Sequence, residues 1–153
     1  MKRYYLAYGS NLNVRQMKYR CPTAKIAGTA VIRDYELLYK GSKTGSYLTI
    51  EKKKGSLVPV AVWEVTAADE HSLDIYEGYP NFYYKKNMKI RLSEAEKMID
   101  AFVYIMHEER RLGIPTSAYV STCKFGYTIF GFDFKYLDEA YEKSLKGAAH
   151  YEN

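Results

Sequence analysis

The chain has 153 residues, 47% of them hydrophobic, which is enough for one compact domain and too little for two, so a single domain is expected over 1–153. Lys and Arg number 23 against 18 Asp and Glu, giving a net charge of +5, but the basic residues are dispersed and form no phosphate-binding patch, so no nucleic-acid partner is expected. No stretch reaches the ~20 apolar residues of a membrane span, and the opening Met1-Lys2-Arg3-Tyr4 lacks the apolar core of a signal peptide.

Cys21 and Cys123 are the only cysteines and have no CxxC spacing, which fits reduced thiols and a cytoplasmic setting. His71, His107 and His150 fall in separate segments without metal-ligand spacing, so no metal or other cofactor is expected. The 17 tyrosines stand out against 6 Phe and one Trp. Each offers ring area plus a hydroxyl that needs a partner, so some should line a polar pocket or an interface, and a homodimer through exposed rings would be unsurprising.

In chain order, Arg3–Tyr8 reads as a strand, followed by a Gly-Ser-Asn turn and a short helix over 13–20 capped by Asn11 or Asn13 and ended by Pro22. Lys25–Ile32 and Tyr35–Lys40 read as strands separated by Arg33-Asp34, with a polar loop at Gly41–Gly45. Tyr47–Glu51 and Leu57–Val65 read as strands around a hairpin tip at Lys52–Gly55, with Pro59 marking an edge or a bulge.

Thr66-Ala67-Ala68-Asp69 has the form of a capping box and opens a helix over 67–76 that Gly78 stops. Tyr83–Leu92 alternates like a half-buried strand, and Met98–Met106, apolar on both faces, belongs in the middle of the sheet. Ser117–Phe130 and Phe134–Leu145 carry apolar residues at helical spacing, the second capped by Asp133 and terminated by Gly147. Six or seven strands with these helices make an α+β domain, and so many strands in so short a chain favour a mixed, mostly antiparallel β-barrel with flanking helices.

The familiar catalytic signatures are missing. Gly9-Ser10-Asn11 is not a G-x-S-x-G elbow, and neither a phosphate loop nor a dinucleotide turn occurs. What remains is Tyr8-Gly9-Ser10-Asn11-Leu12 after the first strand, a turn able to gather backbone N–H groups for a carboxylate or a developing oxyanion. Its complement is Leu73-Asp74-Ile75-Tyr76-Glu77-Gly78. There Glu77 closes a helix beside a tyrosine-rich loop, where burial and the helix's negative end would both raise its pKa toward neutrality. A carboxylate so tuned can accept and return a proton near pH 7.

Together these two motifs, with the tyrosine-bearing strand that follows and the late Pro115-Thr116-Ser117-Ala118-Tyr119 with Gly126, resemble the γ-glutamylcyclotransferase-like (AIG2-like) family over residues 4 to about 145. The resemblance implies a mixed β-barrel with flanking helices and a small cavity walled by the first loop. It implies a small-molecule γ-glutamyl substrate held by Tyr8, Gly9, Ser10, Asn11 and Leu12, with Glu77 as general acid/base and no cofactor. It places Tyr104 and Tyr119 in the pocket, with either Tyr83 or Tyr84 beside them. Where the family has Pro-Ser-x-x-Tyr, this chain sets its serine one place later, after Thr116. Loops 41–46 and 107–114 are the expected contacts for the leaving group. The alternative is a non-catalytic small-molecule binder or interaction module on the same fold.

Overall fold

The computed structural model describes residues 2–42 and 44–152; Lys43, within one expected contact loop, lies outside them, as do Met1, Asn153 and the side chains of 148–152, including that of His150. The elements run β1 (Arg3–Ala7), a 3-10 turn (Ser10–Leu12), α1 (Val14–Arg20), β2 (Lys25–Ser42), β3 (Gly45–Val65), α2 (Ala67–Glu77), β4 (Tyr83–Leu92), β5 (Lys97–Met106), β6 (Arg111–Leu112), α3 (Ser117–Phe130) and α4 (Lys135–Glu152). The six strands form one sheet ordered β4-β5-β1-β3-β2-β6, curled into a half-barrel. Only β1 and β5 run parallel, with Tyr5 beside Phe102; every other neighbour is antiparallel. No helix among the described residues is long and apolar enough to cross a membrane.

Curling brings the turn after β4 back to β2. Ser93 N–H donates to Thr29 O at 2.9 Å, and Glu94 accepts from the Thr29 N–H and hydroxyl at 2.8 and 2.7 Å. The core lies inside the curl: Leu6, Val58, Val60, Val62, Phe102, Val103 and Met106 are fully buried from the sheet, with Cys123, Tyr127, Leu137 and Ala140 supplied by α3 and α4. β5 runs through the interior of the sheet, as its two apolar faces require, and is buried without a break from Ala101 to Met106.

The central hairpin differs from the expected one. Lys52–Gly55 is not its tip, because β2 and β3 pair continuously to Ser42 opposite Gly45. The two turn-like signals, Arg33-Asp34 and Lys52–Gly55, face each other across the ladder and form a single irregularity. Arg33 pairs with Leu57 and Tyr35 with Lys52, and the Asp34 carboxylate bridges the gap by accepting from Gly55 N–H at 3.0 Å. Both Asp34 and Gly55 take positive φ there, which is what a bulge demands and what a sequence reading mistakes for a chain reversal. Pro59 sits where β1 has already ended, since Ala7 pairs with Ala61, so its missing N–H is not needed on that side.

Gly147 is likewise no terminator, for α4 continues through it to Glu152. A Cβ there would stand 2.6 Å from Leu112 Cδ1, so the glycine permits close approach to β6.

The other caps follow the expected chemistry. The Asn13 side chain accepts from Arg15 and Gln16 N–H, Thr66 and Asp69 form a reciprocal capping box, and Asp133 accepts from Lys135 N–H at 2.9 Å. At the start of α3 the Thr116 hydroxyl accepts from Tyr119 N–H, so the residue before the displaced serine supplies the cap.

One helix contact positions the first loop. Gly126 of α3 lies against the 3-10 turn so closely that a Cβ would meet Leu12 Cβ at 2.5 Å and the Leu12 carbonyl carbon at 2.6 Å. Gly126→Ala is therefore expected to push α3 off the turn and destabilise the fold by about 1–3 kcal/mol, the usual cost of overpacking. Thermal denaturation reads this directly, and an unchanged melting temperature would contradict the contact.

Candidate active site

The strand β1, the turn after it and the C-terminal end of α2 meet at a cavity of about 340 Å³, within the usual range for small-molecule sites. It is lined by Tyr8, Gly9, Ser10 and Asn11 from the turn, by Tyr76 and Glu77 from α2, and by Tyr83, Tyr104 and Tyr119. Of the nine positions expected in the site, counting Tyr83 and Tyr84 as one choice that falls on Tyr83, the structure brings eight together around this cavity.

Leu12 is the one from the motif that it turns away. That side chain is fully buried in the core, against Gly126, because the 3-10 turn rotates it away from the cavity. Tyr84, alternating with Tyr83 on β4, points to the other face and donates to Glu108 at 2.5 Å.

Glu77 is presented by a helix stop. Gly78 takes φ 64°, Tyr79 N–H donates to Asp74 O at 2.9 Å, and Gly78 N–H donates to Ile75 O at 3.2 Å. This is a Schellman motif, which leaves Glu77 as the last residue before the chain reverses. Its carboxylate makes no hydrogen bond or ion pair among the described residues. Burial pushes the carboxyl up from an ordinary 4.5 to about 7, with the Arg20 guanidinium pulling the other way.

Lower on α2, a row of charges fastens the helix to the sheet. Lys85 on β4 contacts Asp74 at 2.8 Å and Glu70 at 2.7 Å, and Arg3 on β1 contacts Glu70 at 2.8 Å. Asp74 also accepts from the Tyr104 hydroxyl at 2.6 Å. Charge-assisted bonds of this kind are short and directional, so they fix how far the end of α2 stands from the cavity wall.

Opposite Glu77, the N–H groups of Ser10 and Asn11 come before the first internal donor of the 3-10 turn, Leu12 N–H to Gly9 O at 3.0 Å. A Cβ on Gly9 would lie 3.3 Å from the Tyr119 hydroxyl and 3.5 Å from Leu48 Cβ, so the glycine lets the turn backbone approach that wall. Ser10 Oγ and the Tyr76 hydroxyl are 3.2 Å apart, and the Arg20 guanidinium lies 3.5 Å over the Tyr76 ring.

Sequence reasoning passed over Tyr5, Tyr47, Leu48, Tyr76 and Phe82, which also line the cavity. Tyr5 alternates with Leu6 along β1, but both are buried, so the strand pattern alone does not single it out from the other tyrosines. Tyr47 and Phe82 close the mouth with ring centroids 6.3 Å apart, and no local signal distinguished them from the other aromatic residues. Of the two loops expected to contact the leaving group, 107–114 touches this rim: Arg110 stacks on Phe82 at 4.2 Å, and His107 Nε2 lies 2.8 Å from Pro80 O.

Two outcomes follow from this arrangement. An ionised Glu77 is costly to bury, and since its folded pKa exceeds its unfolded one, stability declines as pH rises from about 4.5 through about 7. Glu77→Gln should therefore match the wild type in stability near pH 4 and exceed it at pH 8 by up to about 3 kcal/mol, read as equal melting temperatures at the first pH and a higher one for the variant at the second. Equal melting temperatures at both pH values would mean that the carboxylate is well solvated. Gly9→Ala should weaken ligand binding more than stability, because the added methyl presses on the Tyr119 hydroxyl rather than on the core; calorimetry and thermal melts separate the two.

The model of the family described as "Gamma-glutamyl cyclotransferase, AIG2-like" matches residues 5–121. A solved structure described as a γ-glutamyl cyclotransferase is similar with a TM-score of 0.81 and 26% identity, covering 92% of this chain and 86% of that one. An uncharacterized protein from Homo sapiens is similar with a TM-score of 0.80 and 26% identity, covering 91% and 86%. An AIG2-like protein from Mus musculus shares the fold at a TM-score of 0.58 and 18% identity, covering 78% and 82%. Among proteins with curated descriptions, none matches this chain. With its family model spanning most of the chain and both motifs, this protein belongs to the γ-glutamyl cyclotransferase, AIG2-like family.

Proposed function

We propose that the protein is a γ-glutamyl cyclotransferase, converting a γ-glutamyl group into 5-oxoproline and releasing an amine or amino acid. The observation that carries this reading is the carboxyl of Glu77, without a hydrogen bond or ion pair among the described residues, held near neutral pKa in a tyrosine-lined cavity that it shares with the Gly9–Asn11 turn. A carboxylate of that kind is costly to keep and suited to proton transfer.

A γ-glutamyl substrate carries its nucleophile, the α-amino group, on the same chain as its γ-carbonyl. At neutral pH that group is mostly ammonium, with an ordinary pKa of about 8. Glu77 takes one proton from it, and the freed nitrogen attacks the γ-carbonyl carbon to close a five-membered ring. Ring closure within one molecule removes much of the entropic barrier. Negative charge moves to the carbonyl oxygen, where the N–H groups of the Gly9–Asn11 turn stabilise it.

Protonated Glu77 then gives its proton to the leaving nitrogen as the C–N bond breaks. The ring nitrogen sheds its second proton as the amine departs as an ammonium, so protons and charge balance. No step calls on a cofactor.

Incubation with a panel of γ-glutamyl amino acids and γ-glutamylamines, scored for 5-oxoproline, tests the reading; no product from any member would favour the non-catalytic binder instead. With a substrate in hand, Glu77→Gln should fold normally and lose at least about 100-fold in kcat. The wild-type kcat/KM should rise through a limb near pH 7 as Glu77 ionises, and that limb should be missing from the residual activity of the variant. A variant that retains most turnover would remove Glu77 from the role of base.

A further inference from the structure

Four tyrosines that line the cavity are almost wholly buried: Tyr5, Tyr8, Tyr83 and Tyr104, none more than 7% exposed. Burial pushes all four phenols above their ordinary range, so each keeps its proton at neutral pH and must place it somewhere. Three place it on the protein. Tyr8 donates to Tyr104 O at 2.7 Å, Tyr83 to Leu48 O at 2.8 Å, and Tyr104 to the Asp74 carboxylate at 2.6 Å.

Tyr5 differs, and the reason is a chain of bonds whose direction is fixed. Arg20 has only donors, and it bonds to Asn11 Oδ1. The Asn11 amide is thereby oriented with its NH₂ toward Tyr5, to which it donates at 2.9 Å. The Tyr5 oxygen is therefore an acceptor in that bond, and among the described residues no acceptor stands within hydrogen-bond distance of its own proton. Gln16 Oε1, which accepts from Arg20 at 2.6 Å, and the Tyr76 ring under the guanidinium hold the start of the chain in place.

We infer that the Tyr5 hydroxyl is a ligand-facing donor, its proton aimed into the cavity by the directed relay Arg20–Asn11 and delivered to an anionic oxygen of the bound γ-glutamyl group. This rests on the cyclotransferase reading above. Two oxygens of such a substrate share the required chemistry: the γ-carbonyl oxygen as it becomes an oxyanion, and the α-carboxylate. Asn11 and Arg20 act through Tyr5 and are positioning residues, so the side chain of Asn11 serves the wall rather than the ligand. Arg20 also adds a positive end to the chain, which strengthens each donor along it.

Asn11→Asp gives a near-isosteric test. One oxygen of the new carboxylate still accepts from Arg20, while the other replaces an NH₂ with an acceptor and draws the Tyr5 proton away from the cavity. Tyr5→Phe deletes that proton outright. Both variants, assayed on the pH plateau for 5-oxoproline formation from the best γ-glutamyl compound of the panel, should lose about 100-fold in kcat/KM, as when an oxyanion-hole donor is removed.

A loss in kcat at constant KM assigns the proton to the carbonyl oxygen. A rise in KM, with a matching loss of 5-oxoproline binding by calorimetry, assigns it to the α-carboxylate. Should Tyr5→Phe fail to fold, Asn11→Asp and Arg20→Gln carry the comparison, with circular dichroism as the check on folding. If the wild type turns over and these folded variants stay within threefold of it, the relay has no part in ligand binding and the inference fails alone. If the wild type forms no 5-oxoproline from any compound, the cyclotransferase reading fails and takes the inference with it.

Discussion

The constraint on which the rest depends is a half-buried carboxyl group that faces the cavity with no hydrogen bond or ion pair among the described residues. Left free, Glu77 would turn outward or recruit a cation, since either move lowers the cost of its charge. The fold prevents both. The reversal at Gly78 fixes the backbone direction, the capping box at Thr66 anchors the other end of α2, and Lys85 and Arg3 bind acidic side chains lower on the helix. The available cations are thus committed before they reach Glu77. Arg20, the one whose field is felt there, is itself occupied with Asn11 and Gln16.

The opposite wall is built with the same economy. Gly126 lets α3 press on the turn after β1, and Gly9 lets that turn approach Tyr119 and Leu48. Each glycine sits where a side chain would occupy space that the site's backbone needs. The parallel pairing of β1 with β5 then sets Tyr5 beside Phe102 and brings Tyr104 into the same wall, with Tyr8 bonded to its carbonyl. The cavity is in this sense a property of the sheet's centre, and α2 closes over it.

How much of this could be read from the chain depends on the range over which each signal acts. Caps and periodicity are local, so Asn13, Thr66 and Asp133 and the strands β4 and β5 were legible. The Lys52–Gly55 segment was misread because its turn chemistry is real but serves a bulge, and a bulge can be told from a hairpin tip only by knowing what lies opposite. Gly147 was misread for a similar reason, its role being contact with Leu112 rather than helix termination. In the site, the pairing of Glu77 with the Gly9–Asn11 turn was visible through two motifs. The facing of Leu12 and Tyr84 was not, because a rotation within a 3-10 turn and a choice between adjacent strand residues are settled by tertiary packing. Tyr5 lay hidden among 17 tyrosines, since what sets it apart is the direction of one hydrogen bond.

The half-open barrel leaves two borders that differ in length. One is β6, only two residues long, and the other is β4, which offers ten residues and carries Lys86, Lys89 and Arg91 along its run. A long outer strand invites continuation of the sheet into another molecule, and cations spaced along it make such an addition unfavourable, because a second copy would set like charges side by side. Part of the chain's excess of lysine and arginine thus acts as a fence around an unfinished barrel.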